Sequence, residues 1–304
     1  MIKLKTFGSF TVGNGLTSVQ EGAWRSEKLE KLFVYLAMNR NRGVCIEDIS
    51  EAIWQVEEET DNPVGALKNL AYRLRKALRD ASFGEECIVS VRGGLYKWND
   101  DVEVTIDVEE FDRYINEAEM AFCRSKETAI ESYEKAIALY HGDFLPLRTD
   151  THWFMTLNAF YHSRYVNTVK ALAKLYIDTG CYEKLEQLCT RAIVYERSDE
   201  QIYSYLIVAR MRTKKVQMAF DTYETAKAIM DKDLGVRKTV MLNKVYEELL
   251  SVTKGASSYN IDEVKDDISE ESMNGVFMCG YPVFKEIYQL EVRNCLLYTS
   301  DAAD

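Results

Sequence analysis

The chain has 304 residues, 47% of them hydrophobic and 29% charged, the balance of an ordinary soluble globular protein with room for about two domains. Its net charge is -11, but residues 1–100 hold 14 Lys/Arg against 14 Asp/Glu and the remainder 24 against 35, so the acid excess lies wholly in the second part and nucleic-acid binding is excluded there. No apolar run reaches the ~18 residues of a membrane span and residues 1–10 lack a signal peptide's apolar core, so the expectation is a cytoplasmic protein with no membrane partner.

Residues 2–12 (IKLKTFGSFTV) alternate apolar and polar side chains and run into Gly13, Asn14 and Gly15, which predicts a strand and a turn. Ser26 offers an N-cap oxygen, Glu27 suits a positive helix end, and Leu29, Leu32, Phe33 and Leu36 form an i, i+3, i+4, i+7 stripe. This first helix ends in the region 39–43, and residues 44–54 predict a short second helix burying Ile49, Ile53 and Trp54. After an acidic loop at 57–61 comes NPVGALKNLAYRLRKALRD, residues 62–80, with Pro63 where a first helical turn tolerates it. Leu67, Leu70, Ala71, Leu74, Ala77 and Leu78 fall on one arc of this helix, while Lys68, Asn69, Tyr72, Arg73, Arg75, Lys76 and Arg79 occupy the rest. Five Lys/Arg without an acid between 62 and 79, in a chain this acidic, point to a phosphate-facing helix. On this window alone, an amphipathic surface helix with a solvated basic face is an equal reading. Residues 88–98 (IVSVRGGLYKW) alternate, turn at Gly93 and Gly94 and alternate again, the signal of a β-hairpin. Sheet, three helices and hairpin make an α+β winged helix over residues 1–100.

Three stretches carry a resemblance: the helix from Cys45 that ends in Ala52-Ile53-Trp54, Leu74-Arg75-Lys76-Ala77-Leu78, and Arg92-Gly93-Gly94-Leu95-Tyr96. Residues 1–100 resemble the winged-helix domain shared by response-regulator effectors and SARP-type antibiotic-pathway activators. The resemblance implies double-stranded promoter DNA as a partner, with the third helix in the major groove and the hairpin tip at the neighbouring minor groove. By position it assigns Asn69, Tyr72 and Arg73 to base edges and Lys68, Arg75, Lys76, Arg79 and Arg92 to phosphates. It also gives the acidic loop at 57–61 a polymerase-contacting role, set against a plain solvated turn.

From residue 107 to 250 strand signals vanish and helical periodicity takes over, with breaks near Arg124, Gly142, Gly180, Arg197, Lys214 and Gly235. A displacement of 34 residues lays Leu172 on Leu206 and Ala192 on Ala226, so residues 165–195 and 199–231 read as two tetratricopeptide-like helix pairs. A third pair at 107–140 stacks with them, and residues 236–250 cap the far end, giving an all-α helical repeat domain. The stretch Tyr140-His141-Gly142-Asp143-Phe144-Leu145-Pro146, Trp153 opening a long helix, and residues 219–235 and 246–250 resemble the bacterial transcriptional activator domain that follows the winged helix in SARP-type regulators. The family carries prolines after the position of Gly235, where this chain has Val236-Arg237-Lys238-Thr239.

Residues 251–275 are polar and acidic and read as a disordered linker. Residues 276–294 show a strand-then-helix pattern that faintly resembles the opening of a cyclase-like domain, and the closing LLYTSDAAD reads as translated adapter or assembly-junction sequence. The expectation is therefore that residues 276–304 are the truncated start of a further domain with an artefactual tail, and that the natural chain continues.

No P-loop, GxGxxG, HExxH or GxSxG pattern occurs, and His141, His152 and His162 are not spaced as a metal face. No catalysis, cofactor or metal is expected. His152 and His162, close to Trp153, are read as structural side chains of a repeat helix. The seven cysteines form an odd set without CxxC and read as reduced, mostly buried thiols. Together these readings describe a transcription regulator, an activator by resemblance, in which a winged helix binds promoter DNA. Its repeat domain supplies protein contacts with RNA polymerase, homodimerisation or signal input. With no receiver domain ahead of the winged helix, control is expected through the repeats, the missing C-terminal portion or abundance. The alternative is a tetratricopeptide-like interaction scaffold with a winged helix that does not bind DNA.

Overall fold

In the computed structural model, residues 1–55, 62–83, 87–91, 94–148, 150–233, 239–256 and 287–291 are described. The alternating run 2–12 is two strands, β1 (Ile2–Lys5) and β2 (Thr11–Gly13), not one. The pattern breaks at Gly8, whose φ of +82° turns the chain, and a Cβ there would stand 2.6 Å from the His141 carbonyl oxygen. β1 and β2 pair antiparallel with Lys3 opposite Gly13, and β3 (Ser18–Gln20) extends the sheet.

Helix α1 (Glu27–Met38) starts where expected, although the Ser26 hydroxyl makes no cap hydrogen bond. Its stripe is buried, and so are Glu30, Lys31, Val34, Tyr35 and Ala37, because α1 is covered on nearly every side. Helix α2 (Ile46–Ile53) is shorter than residues 44–54. Cys45 is its N-cap, with Sγ accepting from the Asp48 N–H, Trp54 ends it half-buried, and Val44 bridges to Tyr96 instead. Helix α3 (Pro63–Asp80) leads to the hairpin of β4 (Ile88–Val91) and β5 (Leu95–Trp98), the wing. A chain of rings, Phe10 to Trp24 to Phe33 to Trp98, each pair with centroids 5.4 Å apart, fills the core under the sheet.

The first sheet is completed by a strand beyond residue 100: β6 (Val104–Ile106) pairs parallel to β1, giving the order β3-β2-β1-β6. It runs straight into α4 (Asp107–Ala121), which pairs with α5 (Lys126–Leu139). Asp107 is buried, and its carboxylate accepts from the Thr6 and Phe7 N–H groups and the Thr6 hydroxyl. Desolvation pushes its pKa up, against the pull of those hydrogen bonds. After a 3-10 turn at Pro146–Arg148 come α6 (His152–Thr179), α7 (Tyr182–Tyr195), α8 (Glu200–Arg212), α9 (Val216–Asp233) and α10 (Val240–Ala256). The expected breaks at 124, 142, 180, 197 and 214 all fall between helices; 235 lies outside the described residues. Leu172 and Leu206, like Ala192 and Ala226, are buried as the 34-residue displacement requires. Gly180 and Lys214, also 34 apart, both take positive φ, 71° and 61°, so the same tight turn recurs with and without glycine. α6 is one continuous helix of 28 residues, twice the length that the repeat needs from residue 165. α10 continues six residues past Leu250, so the start of the stretch read as linker is helical.

The winged helix and the repeats as far as α8 share one hydrophobic core, and a second cluster lies among α8, α9 and α10. Phe7 packs on Phe111, Tyr140 and Tyr161 at 5.0–5.8 Å between centroids and bridges to Phe144. A second connection is ionic: Arg148, buried, pairs with Glu30 and lies 3.3 Å from Glu21, while Lys31 pairs with Asp150. Gln55 donates to Asp150 at 2.9 Å and the Thr151 hydroxyl to the Ala52 carbonyl at 2.8 Å.

Candidate nucleic-acid interface

Helix α3 begins cleanly because the Asn62 Oδ1 accepts from the Gly65 N–H at 2.8 Å and Pro63 supplies the first φ. Leu67, Leu70, Ala71, Leu74 and Leu78 are buried against the core; Ala77, expected among them, is only half-buried. Its far end is pinned to the β2–β3 turn: Asn14 Nδ2 donates to the Ser82 carbonyl and the Thr17 hydroxyl to that of Ala81, both at 3.0 Å. Asn14 also shapes its own turn, accepting from the Leu16 and Thr17 N–H groups.

Of the residues singled out on this helix, Lys68, Asn69, Tyr72, Arg73, Lys76 and Arg79 are all exposed, with Tyr72 at 65% the largest apolar surface among them. Lys68, Arg73 and Lys76 form no ion pair with a described residue. Lys68, Arg73 and Lys76 thus stand in solvent beside an amide, Asn69, and an aromatic ring, Tyr72, the set that contacts phosphates and base edges, with Asp80 at the helix end as the one acid of α3. Arg75 differs: it is half-buried, and its Nε donates to the Ile88 carbonyl at 3.1 Å. Arg92, expected at the wing tip, lies outside the described residues, as does the acidic loop 57–61. The wing is antiparallel from Ile88 opposite Trp98 to Val91 opposite Leu95, with Gly94 at φ +80° in its turn. β5 is fixed to the body through Val44, whose N–H and C=O exchange hydrogen bonds of 2.8 and 2.9 Å with Tyr96. The sequence offered no sign of these supports, Asn14, Thr17, Val44 and Ile88. Asn14 read as a turn residue, and only its partner across the fold shows that it holds α3.

His162 does not join the other histidines. Its Nδ1 lies 2.8 Å from Asp143 Oδ1, which also accepts from the Tyr140 hydroxyl at 2.6 Å, and its Nε2 lies 3.1 Å from Glu196. The hydrogen bond to Asp143, with help from Glu196, raises its pKa to about 9, so it is an imidazolium clamping the 140–145 segment to the α7–α8 turn. Among the described residues no group of three or more His, Cys, Asp or Glu could hold a metal ion, and no helix is long and apolar enough to cross a membrane. Of the five described cysteines only Cys87 and Cys189 are buried, fewer than expected; burial pushes the Cys87 thiol up to about 11.

The family model of the bacterial transcriptional activator domain matches residues 106–250. The transcriptional regulator RedD of Streptomyces coelicolor is 23% identical over 238 residues, covering 77% of this chain and 67% of RedD. Mycobacterium tuberculosis EmbR, solved in complex with a low affinity phosphopeptide, superposes with a TM-score of 0.63 at 19% identity, covering 90% of this chain and 72% of that one, which shows the shared fold. Residues 106–250 thus carry a bacterial transcriptional activator domain behind a winged helix, and in this arrangement the chain is similar to the SARP-type transcriptional regulators.

Proposed function

We propose that the protein binds promoter DNA by laying α3 in the major groove. Asn69, Tyr72 and Arg73 reach base edges, Lys68, Lys76 and Arg79 neutralise phosphates, and Arg92 at the wing tip meets the adjacent minor groove. The repeat domain, residues 107–250, provides the surface for protein contacts, RNA polymerase among them, for dimerisation or for signal input. The observation that carries the reading is the exposed cationic face of α3, whose only acid is Asp80 at its last residue, in a chain of net charge -11.

Anisotropy of labelled duplex DNA with the full chain, over a salt series, tests it. Binding should weaken steeply with salt, and reversing Lys68 and Lys76 to Glu together should abolish it while the fold, followed by circular dichroism, persists. Salt-independent or absent binding by the wild type would overturn the reading and leave an interaction scaffold.

A further inference from the structure

The two edges of the wing are held in different ways, and the difference isolates one cation of α3. Cys87 accepts from the Asn99 N–H at 2.9 Å, so the next pair, Ile88 with Trp98, is one whose backbone groups point away from the partner strand. The Ile88 carbonyl therefore faces outward from β4, at a residue only 3% exposed, where an unmatched acceptor would be costly. Arg75 Nε supplies the donor at 3.1 Å. By the same alternation Tyr96 turns its backbone outward from β5 and meets Val44. Arg75 stands one turn from Ala71 and from Leu78, both buried, at the border of the packed stripe and two turns along the helix from the exposed Lys68.

We propose that Arg75 is a positioning residue, which ties β4 to α3 and so fixes the angle between wing and helix, and that its charge does not neutralise a phosphate. This rests on the DNA-binding reading for its consequence but not for its geometry. A helix in one groove and a wing tip in the next can be engaged together only if their separation is set beforehand, which makes the Arg75 hydrogen bond part of the fit.

Glutamine provides the discriminating substitution, because its Nε2 sits at the same distance along the side chain as the Nε of arginine while the charge is gone. In the full chain, Arg75→Gln should keep the tether, Arg75→Ala should lose it, and Lys76→Ala serves as the reference for a phosphate contact. Hydrogen exchange in the DNA-free protein is the first readout: the amides of residues 88–98 should exchange about tenfold faster in Arg75→Ala and at the wild-type rate in Arg75→Gln. The second is titration of a duplex chosen by in vitro selection. Arg75→Ala should lose about tenfold in affinity with the salt slope unchanged, Arg75→Gln should bind within about twofold of wild type, and Lys76→Ala should lower the slope by about 0.9. A slope lowered by about 0.9 in both Arg75 variants, or wing exchange unaltered in Arg75→Ala, would overturn the proposal. Absence of salt-dependent binding by the wild type would sink the DNA-binding reading instead, and the exchange measurement would still decide the tether.

Discussion

Two regions of this molecule use the same residue types to opposite ends. On α3, Lys68, Arg73 and Lys76 stand in solvent without a carboxylate partner among the described residues. At the seam between α1 and the turn before α6, Arg148 and Lys31 are buried, paired with Glu30 and Asp150, and Lys31 lies 5.8 Å from the Phe154 ring. Desolvation explains the contrast. A cation removed from water survives only beside matched carboxylates and then serves the fold, whereas a hydrated one keeps its charge available for a ligand. The seam therefore fixes the orientation of the winged helix on the repeats, and α3 is left to act outward.

The largest test of that contrast is Arg148→Met, which strands the buried Glu30 carboxylate and should cost about 3 to 5 kcal/mol in urea denaturation. Adding Glu30→Gln, which keeps an acceptor for the Gly22 N–H, should recover most of it. If the single variant unfolds like the wild type, the seam does not differ from the surface. Leu172→Ala and Leu206→Ala calibrate the scale with purely apolar sites: each should cost about 2 to 5 kcal/mol, and wild-type melting of both would refute the repeat register.

His162 tests an intermediate case, half-buried between two carboxylates. Its folded pKa, about 9, lies above the ordinary 6.5, so its stabilisation is complete below about pH 6.5 and is lost as pH rises through 9. Denaturant midpoints should fall by the equivalent of roughly 1 to 3 kcal/mol across that window, and His162→Gln should flatten the fall. A wild-type profile as flat as the variant's would remove the clamp from the account. The smallest effect on the fold belongs to α3: Lys68→Ala should leave stability within about 0.5 kcal/mol while lowering the salt slope of DNA binding by about 0.9. Asn69→Ala should cost about 1 to 3 kcal/mol on a selected site and much less on random duplex; equal losses on both would make α3 a clamp without sequence readout.

What could be read beforehand was local. The buried arc of α3, its Asn62 and Pro63 start, the hairpin at Gly94 and the helix breaks at Gly142, Gly180 and Lys214 each follow from neighbours within a few turns of chain. The failures share a different cause. In Phe7-Gly8-Ser9-Phe10 the alternation slips by one residue, as it does at a bulge within a single strand, and only the close approach of Gly8 to His141 shows that the chain turns there. β6 is three residues long, too short to register by period, and exists because β1 is there to pair with it. Glu30 and Lys31 look like ordinary polar positions of α1, and their burial is decided by Arg148 and Asp150 more than a hundred residues away. The candidate interface was accordingly legible in its outward residues and illegible in what holds them, with Arg75 assigned among the former.

The parallel pairing of β1 with β6 also sets a schedule for synthesis. At roughly 5 to 20 residues per second, the ribosome needs about 5 to 20 s to deliver β6 after β1 has emerged. Throughout that interval β1, already joined to β2, presents a bare strand edge to the cytosol of whatever cell makes it, together with an unsatisfied Thr6 and Phe7 backbone that waits for Asp107. The nascent winged helix is most prone to wrong pairings just before the repeats begin, and slower codons near residue 100 would lengthen that exposure.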